Sequence, residues 1–337
     1  ALSNGGTVYF PPGTYKVSSA LVIGSSDKSI KLVGAGGHFP ITTETNGTII
    51  RTSSATANII EITNARSIEI TGLGLDSTHI DSSDNNKATS TSGAAIKAES
   101  TTGTQAISIK EVYIRSKFIG INIQGYSMMD VRDVEIRNFP NTASGAVGIL
   151  IDDGSDARVD QVRLENIVID GRWPDAGTNV ANKYCNAFHF KNYVNSVWMK
   201  DCSAIKCNKG LVFDSSLGNN TSGSTGSYFR VDNCDFDQNS NNGIYIAGGS
   251  TIWITNAFCT ANGSSDANIT GDKSGINITS TFGGVLRLND IDCRLNRHHG
   301  ISIGGTNHNK IHITNPHCAK NGQQTNDTYH GIFAATN

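Results

Sequence analysis

The sequence predicts an all-β chain wound as a right-handed, single-stranded parallel β-helix of about ten coils. Three observations carry that expectation: a glycine-led strand that recurs to the end of the chain, an alternating second strand after each one, and an asparagine that closes a third. A chain of 337 residues would otherwise be expected to split into several domains. A solenoid escapes this because each coil packs only on its neighbours and the core grows along an axis.

The opening stretch, GGTVYFPPGTYKVSSALVI at 5–23 followed by SIKLVGAGG at 29–37, reads as strands separated by a Pro11-Pro12-Gly13 turn. The glycine strands then follow as IGINIQG (119–125), VGILIDDG (147–154), NAFHFKN (186–192), KGLVFDSS (209–216), NGIYIAGG (242–249), SGINITS (274–280), HGISIGG (299–305) and HGIFAAT (330–336). Their spacing of 23 to 39 residues begins at the length of one minimal coil, and the longer coils carry loops. Between them lie MMDVRDVEI, ARVDQVRLENIVI, YFRVDNCDF, TIWITNAF, VLRLNDID and KIHITNPH. Period-two alternation rich in Ile, Val, Phe and Thr is strand chemistry. Equivalent strands run the same way, so they stack as parallel ladders.

Asn208, Asn239, Asn262, Asn296 and Asn321 close the third strands. Asparagine tolerates a left-handed corner, and its amide can bond to the copy on the next coil. Three residues before them stand Ile205, Phe236, Cys259, Cys293 and Cys318, expected to point inward. The seven cysteines are odd in number and widely spaced, which argues for buried thiols and against a disulfide framework or a zinc knuckle. The expected organisation is a single unit over 1–337, with opening coils over 1–50 and a solenoid body over 51–337 that carries insertions at 76–93, 170–186, 215–227 and 262–274.

A net charge of −2 with 17% charged residues leaves no general footprint for nucleic acid or an anionic membrane, so a polyanionic partner needs a local basic patch. No apolar run approaches the roughly 20 residues of a membrane span, and the first residues lack the regions of a signal peptide. No membrane insertion is expected, and the chain is read as soluble or already trimmed.

The opening stretch and the coil repeat resemble the pectate-lyase-like superfamily, which includes phage tailspikes, polygalacturonases and other polysaccharide-active β-helix proteins. The resemblance covers nearly the whole chain. It implies a glycan partner such as a bacterial capsule, a cell-surface glycan or a uronate polymer, and an extracellular or virion-surface location. It also implies a tailspike-like homotrimer and a start at Ala1 partway through a longer polypeptide; the end at 329–337 carries no helix or polar cap, so further sequence or other subunits are expected to cover its apolar surface.

Outward residues on stacked strands form rows about 4.8 Å apart, so a site can assemble from distant segments. Four residues before the asparagines the row is Ala204, Asp235, Phe258, Asp292 and His317; two before, it is Lys206, Asp237, Thr260, Arg294 and Ala319. Carried back, the rows add Glu135 and Arg137, then Val168 and Asp170. Glycoside hydrolysis needs one protonated and one ionised carboxyl group, about 5 to 9.5 Å apart. Asp235, Asp237 and Asp292 are therefore the candidate catalytic groups, with Arg294, His317 and Lys206 as substrate ligands. A solvated face of alternating charge is the alternative.

The insertion DGRWPDAGTNVANKYCN at 170–186 offers Trp173 and Tyr184 for stacking on sugars and Asp170, Arg172, Asp175 and Lys183 for polar contacts. NRHHGISIGG at 296–305 is similar to a polygalacturonase stretch, with His299 in the histidine position. Its partner QNSNNGIYI, however, carries Asn241 and Asn242 where that family has aspartates, so His298 and His299 are equally turn residues. A lyase would need a base and a cation for the uronate carboxylate, roles open to Lys206, Arg294 and His317. No cofactor or metal is expected, and Asp152, Asp153 and Asp156 are the nearest approach to a calcium cluster.

Overall fold

The computed structural model describes residues 5–24, 29–37, 47–77, 80–81, 87–88, 90–101, 105–115, 117–137, 139–140, 144–153, 159–171, 173–175, 178–218, 227–264, 271–305, 310–323 and 329–335. It is a parallel β-helix. One sheet of 11 strands collects the glycine strands, from Leu21–Ile23 to Ile332–Ala334, and a 16-stranded sheet collects the other strands of the coils. Pairing runs coil to coil and parallel throughout both ladders, as in Ile244↔Ile276↔Ile301. Crossovers between parallel strands of one sheet are right-handed as a rule. Among the described residues no helix is long and apolar enough to cross a membrane.

The turn at Pro11 and Pro12 separates Gly6–Phe10 from Gly13–Val17, and the two strands pair with Ser29–Gly34 and Thr48–Thr52 respectively. Two short antiparallel ribbons leave the solenoid, Ile80–Asp81 with Lys87–Ala88 and Trp173–Asp175 with Thr178–Val180. Both lie within the insertions expected at 76–93 and 170–186.

The core is one column of Ile, Val, Leu and Phe that runs through the stack from Ile23 to Ile303. Phe190, Phe213 and Phe229 interlock there, with centroids 4.9 to 5.9 Å apart. All seven cysteines are free thiols, and six are buried. Cys259, Cys293 and Cys318 form the expected inward stack, in which burial and the neighbouring thiol of Cys259 push Cys293 well above the ordinary thiol range.

The glycine and the asparagine of the repeat work together. Asn262 is buried; its Nδ2 donates to Phe236 O at 3.0 Å and to Asn296 Oδ1 at 3.1 Å, while its Oδ1 accepts from Asn239 N and Nδ2 at 3.0 Å each. A Cβ on Gly275 would sit 2.7 Å from Asn296 Nδ2 and 2.8 Å from Gly300 O, so only glycine lets the ladder amide and the next coil approach this closely.

Two expectations need correction. The left-handed corner residues are not the ladder asparagines but those just before them, Gln238, Ala261, Leu295 and Lys320, with φ of 51° to 58°. And Asn208 is not in the ladder: Asn239 Oδ1 accepts from Cys207 N at 2.9 Å, so Cys207 holds that place. The register in this coil therefore moves by one residue, and Ala204, not Ile205, faces inward against Phe236.

Candidate functional site

Left-handed residues at a second corner, among them Asp201, Asn233, Asn256, Asp290 and Asn315, bend the large sheet into two limbs. Beyond that corner, alternation turns every second side chain outward. The outward row runs Glu135↔Val168↔Ser203↔Asp235↔Phe258↔Asp292↔His317. Its companion runs Arg137↔Asp170↔Ile205↔Asp237. The backward extension thus keeps its register, while Ser203 and Ile205 replace Ala204 and Lys206. Lys206 sits on the left-handed corner with φ 55° and is not a member of the row that holds Asp237.

Asp235 and Asp237 share one face of the strand Asp235–Asp237, roughly 6.5 to 7 Å apart at Cα. Burial, and then the charge of Asp237, push the Asp235 carboxyl up to about 6. Asp237 accepts hydrogen bonds from Thr260 Oγ1 and Gln238 Nε2, both 2.7 Å. Two rungs from Asp235, about 9 to 10 Å away, Asp292 is held by Arg294 Nε at 2.6 Å and faces His317 Nδ1 at 3.5 Å. Between the two carboxylates stands Phe258, 46% exposed. An aromatic ring this open on a row of acids has the shape and polarity to stack on the apolar face of a sugar. It stood in the row as read from the sequence, an apolar residue at an outward position to which no role was given.

The other expected ligands are not gathered here. Asp170 is 4% exposed at the end of the strand Val162–Asp170, too buried to meet a polymer. Arg172 lies outside the described residues, and Trp173 opens the short ribbon with its partner Val180. Tyr184 is exposed, its backbone N–H bonded to Asn182 Oδ1 at 2.8 Å. His298 and His299 are turn residues: their Nδ1 atoms accept the backbone N–H groups of Lys273 at 3.0 Å and His330 at 2.9 Å. Asn242 spans to Asp272 O and Ser274 O. Asp152 accepts from Asn192 Nδ2 at 2.6 Å, and Asp156 lies outside the described residues. Among the described residues no group of three or more His, Cys, Asp or Glu is arranged to hold a metal.

A second polar cluster, which the sequence reading did not assemble, lies outward on the glycine sheet. His189 Nε2 meets Asp214 Oδ2 at 3.1 Å, and this hydrogen bond holds the Asp214 carboxyl well below the usual range. Lys209 Nζ lies 3.7 Å over the Tyr245 ring. Burial lowers Lys209 and raises Tyr245. Following the glycine strands as columns would have found it, since His189 and Tyr245 share one row through Val212.

The family pattern described as "Rhamnogalacturonase A/epimerase, pectate lyase-like" matches residues 1–234. The chain belongs to this polysaccharide-active β-helix family. The matched segment contains His189, Lys209 and Asp214 and ends one residue before Asp235. Among solved structures, the chain is similar to the catalytic domain of a GH87 alpha-1,3-glucanase in complex with nigerose, with a TM-score of 0.54 and 13% identity over 98% of this chain and 64% of that one. It thus spans less than two thirds of that domain. Other similar structures are the A-module of the mannuronan C-5 epimerase AlgE6 of Azotobacter vinelandii, with TM-score 0.48, 14% identity, and 99% and 91% of the two chains covered, and ORF18 of Geobacillus virus E2, with TM-score 0.42, 17% identity, and 94% and 52% covered. No curated protein sequence matches the chain.

Proposed function

We propose that this chain is an endo-acting polysaccharide depolymerase that hydrolyses glycosidic bonds on the outward row around Asp235. The observation that carries the reading is the placement of Asp235 and Asp237 on one face of a single strand, the first half-buried and the second held by Thr260 and Gln238; burial and the charge of Asp237 push the Asp235 carboxyl up to about 6. Asp235 donates its proton to the leaving glycosidic oxygen, and Asp237 takes a proton from the water that attacks the anomeric carbon. Asp292, fixed by Arg294, lies across Phe258 at the upper end of the range for a carboxylate pair and serves as the alternative base. Arg294 and His317 orient the substrate. Release of reducing ends, or loss of viscosity, on a panel of bacterial capsules and uronate polymers tests the reading. Tight binding without cleavage would make the chain a glycan receptor module, and neither would leave a rigid adhesin rod.

A second reading is uronate lyase chemistry at the glycine-sheet cluster, favoured by the His189–Asp214 pair beside Lys209 and Tyr245. A base there would take the proton next to the uronate carboxylate, and the electrons of that C–H bond would form a C=C bond as the glycosidic oxygen leaves. An unsaturated sugar at the new end, detected by ultraviolet absorbance, separates the lyase from the hydrolase. We further propose a homotrimer of the tailspike kind at an extracellular or virion surface. Sedimentation of the full-length protein as a monomer would refute the trimer.

A further inference from the structure

The limb before the second corner carries a row of a different kind. Register pairs Arg163 with Trp198, Trp198 with Arg230, Arg230 with Trp253, Trp253 with Arg287 and Arg287 with His312. Cation and aromatic therefore alternate over six consecutive coils, about 24 Å of straight surface at one rung per 4.8 Å. The row faces outward: Trp198 is 43% exposed, and Arg230 and Arg287 are exposed. Grooves of about 510 Å³ beside Trp198 and about 410 Å³ beside Trp253 lie along it.

Its charges are only partly satisfied within the chain. Arg163 meets Glu165 at 2.6 Å, but among the described residues no carboxylate pairs with Arg230 or Arg287. Arg287 leans on the Trp253 ring, 5.1 Å from its centroid. The Trp253 Nε1–H is shielded from solvent and has no hydrogen-bond partner among the described residues.

We propose that this row is a non-catalytic binding surface for an extended, carboxylate-bearing polysaccharide, lying along the helix axis beside the Asp235 row. The proposal rests on the polysaccharide reading but not on hydrolysis. Indole faces stack on sugar rings, and guanidinium groups meet carboxylates with paired hydrogen bonds. A linear polymer matches the row's regular spacing. A second protein copy would instead have to bury an arginine at every other rung, against the depletion of charge in interface cores. Such a row is also the local basic patch that a weakly acidic chain needs to meet a polyanion.

Affinity electrophoresis through gels of polygalacturonate, alginate or hyaluronan tests this, using the Asp237→Asn protein so that retention is read without cleavage. Retention by at least one of these polymers is expected. It should weaken about tenfold in Trp198→Ala/Trp253→Ala and in Arg230→Ala/Arg287→Ala, and fade with added salt in the parent but less in the arginine variant. Trp198→Phe/Trp253→Phe, which keeps aromatic faces, should retain most of the binding. No retention of the parent by any of the three polymers, equal retention by every variant, or equal retention in a neutral dextran gel would overturn the proposal. So would a change of oligomeric state in the tryptophan variants, which would make the row a contact between copies.

Discussion

Thr260 Oγ1 donates a 2.7 Å hydrogen bond to Asp237 Oδ1, so a hydroxyl on one coil fixes a carboxylate on the coil before it. The proposed base is positioned by stacking. Thr260→Val keeps the shape but removes the donor, and kcat should fall by about tenfold with KM little changed, the size of one lost hydrogen bond to a charged group. An unchanged rate would mean that Asp237 needs no such support.

Asp237→Asn and Asp292→Asn should each lower turnover by at least roughly a hundredfold while leaving the melting temperature near that of the parent, the scale of lost acid or base help. If both variants cleave normally and His189→Ala does not, the chemistry belongs to the glycine sheet.

The pH dependence follows from Asp235. Its carboxyl is pushed up to about 6 by burial and by Asp237, above its value in the unfolded chain. Its contribution to stability is therefore complete below about pH 4 and is lost as pH rises through about 6. Asp235→Asn should accordingly be more stable than the parent at pH 7 by about 1 to 2 kcal/mol, after allowing for partial exposure, with the difference vanishing near pH 4. Urea titrations at the two pH values measure this. Activity in the parent should decline above about pH 6 as the acid loses its proton, and a rate still rising through pH 8 would remove Asp235 as the acid.

Asn262→Ala removes four hydrogen bonds inside the stack and leaves buried partners unpaired, a loss of about 3 kcal/mol or more. Asn208→Ala, outside the ladder and with a single 3.4 Å side-chain bond to Asn186 Oδ1, should change stability by less than about 1 kcal/mol. Equal losses in thermal denaturation would mean that Asn208 carries the ladder after all.

The sequence alone was enough for the coil repeat, the glycine strands, the inward Cys259–Cys293–Cys318 stack and the face shared by Asp235, Asp237 and Asp292. These follow from period-two alternation and from the recurrence of residues that occupy equivalent places, and a parallel stack turns recurrence into contact. Tertiary structure decided the places where a coil departs from its own repeat. Cys207 takes the ladder place next to Asn208, and because side chains alternate, that one-residue step removes Lys206 from the row with Asp237 and turns Ala204 inward. The step is invisible in the sequence because both registers put an acceptable residue inside. Exposure was likewise settled in three dimensions: Asp170 and Phe258 stand on equivalent limbs of the same sheet, yet the acid is buried and the phenyl ring open. How neighbouring coils and loops cover a position is a property of the stack, and no residue type records it.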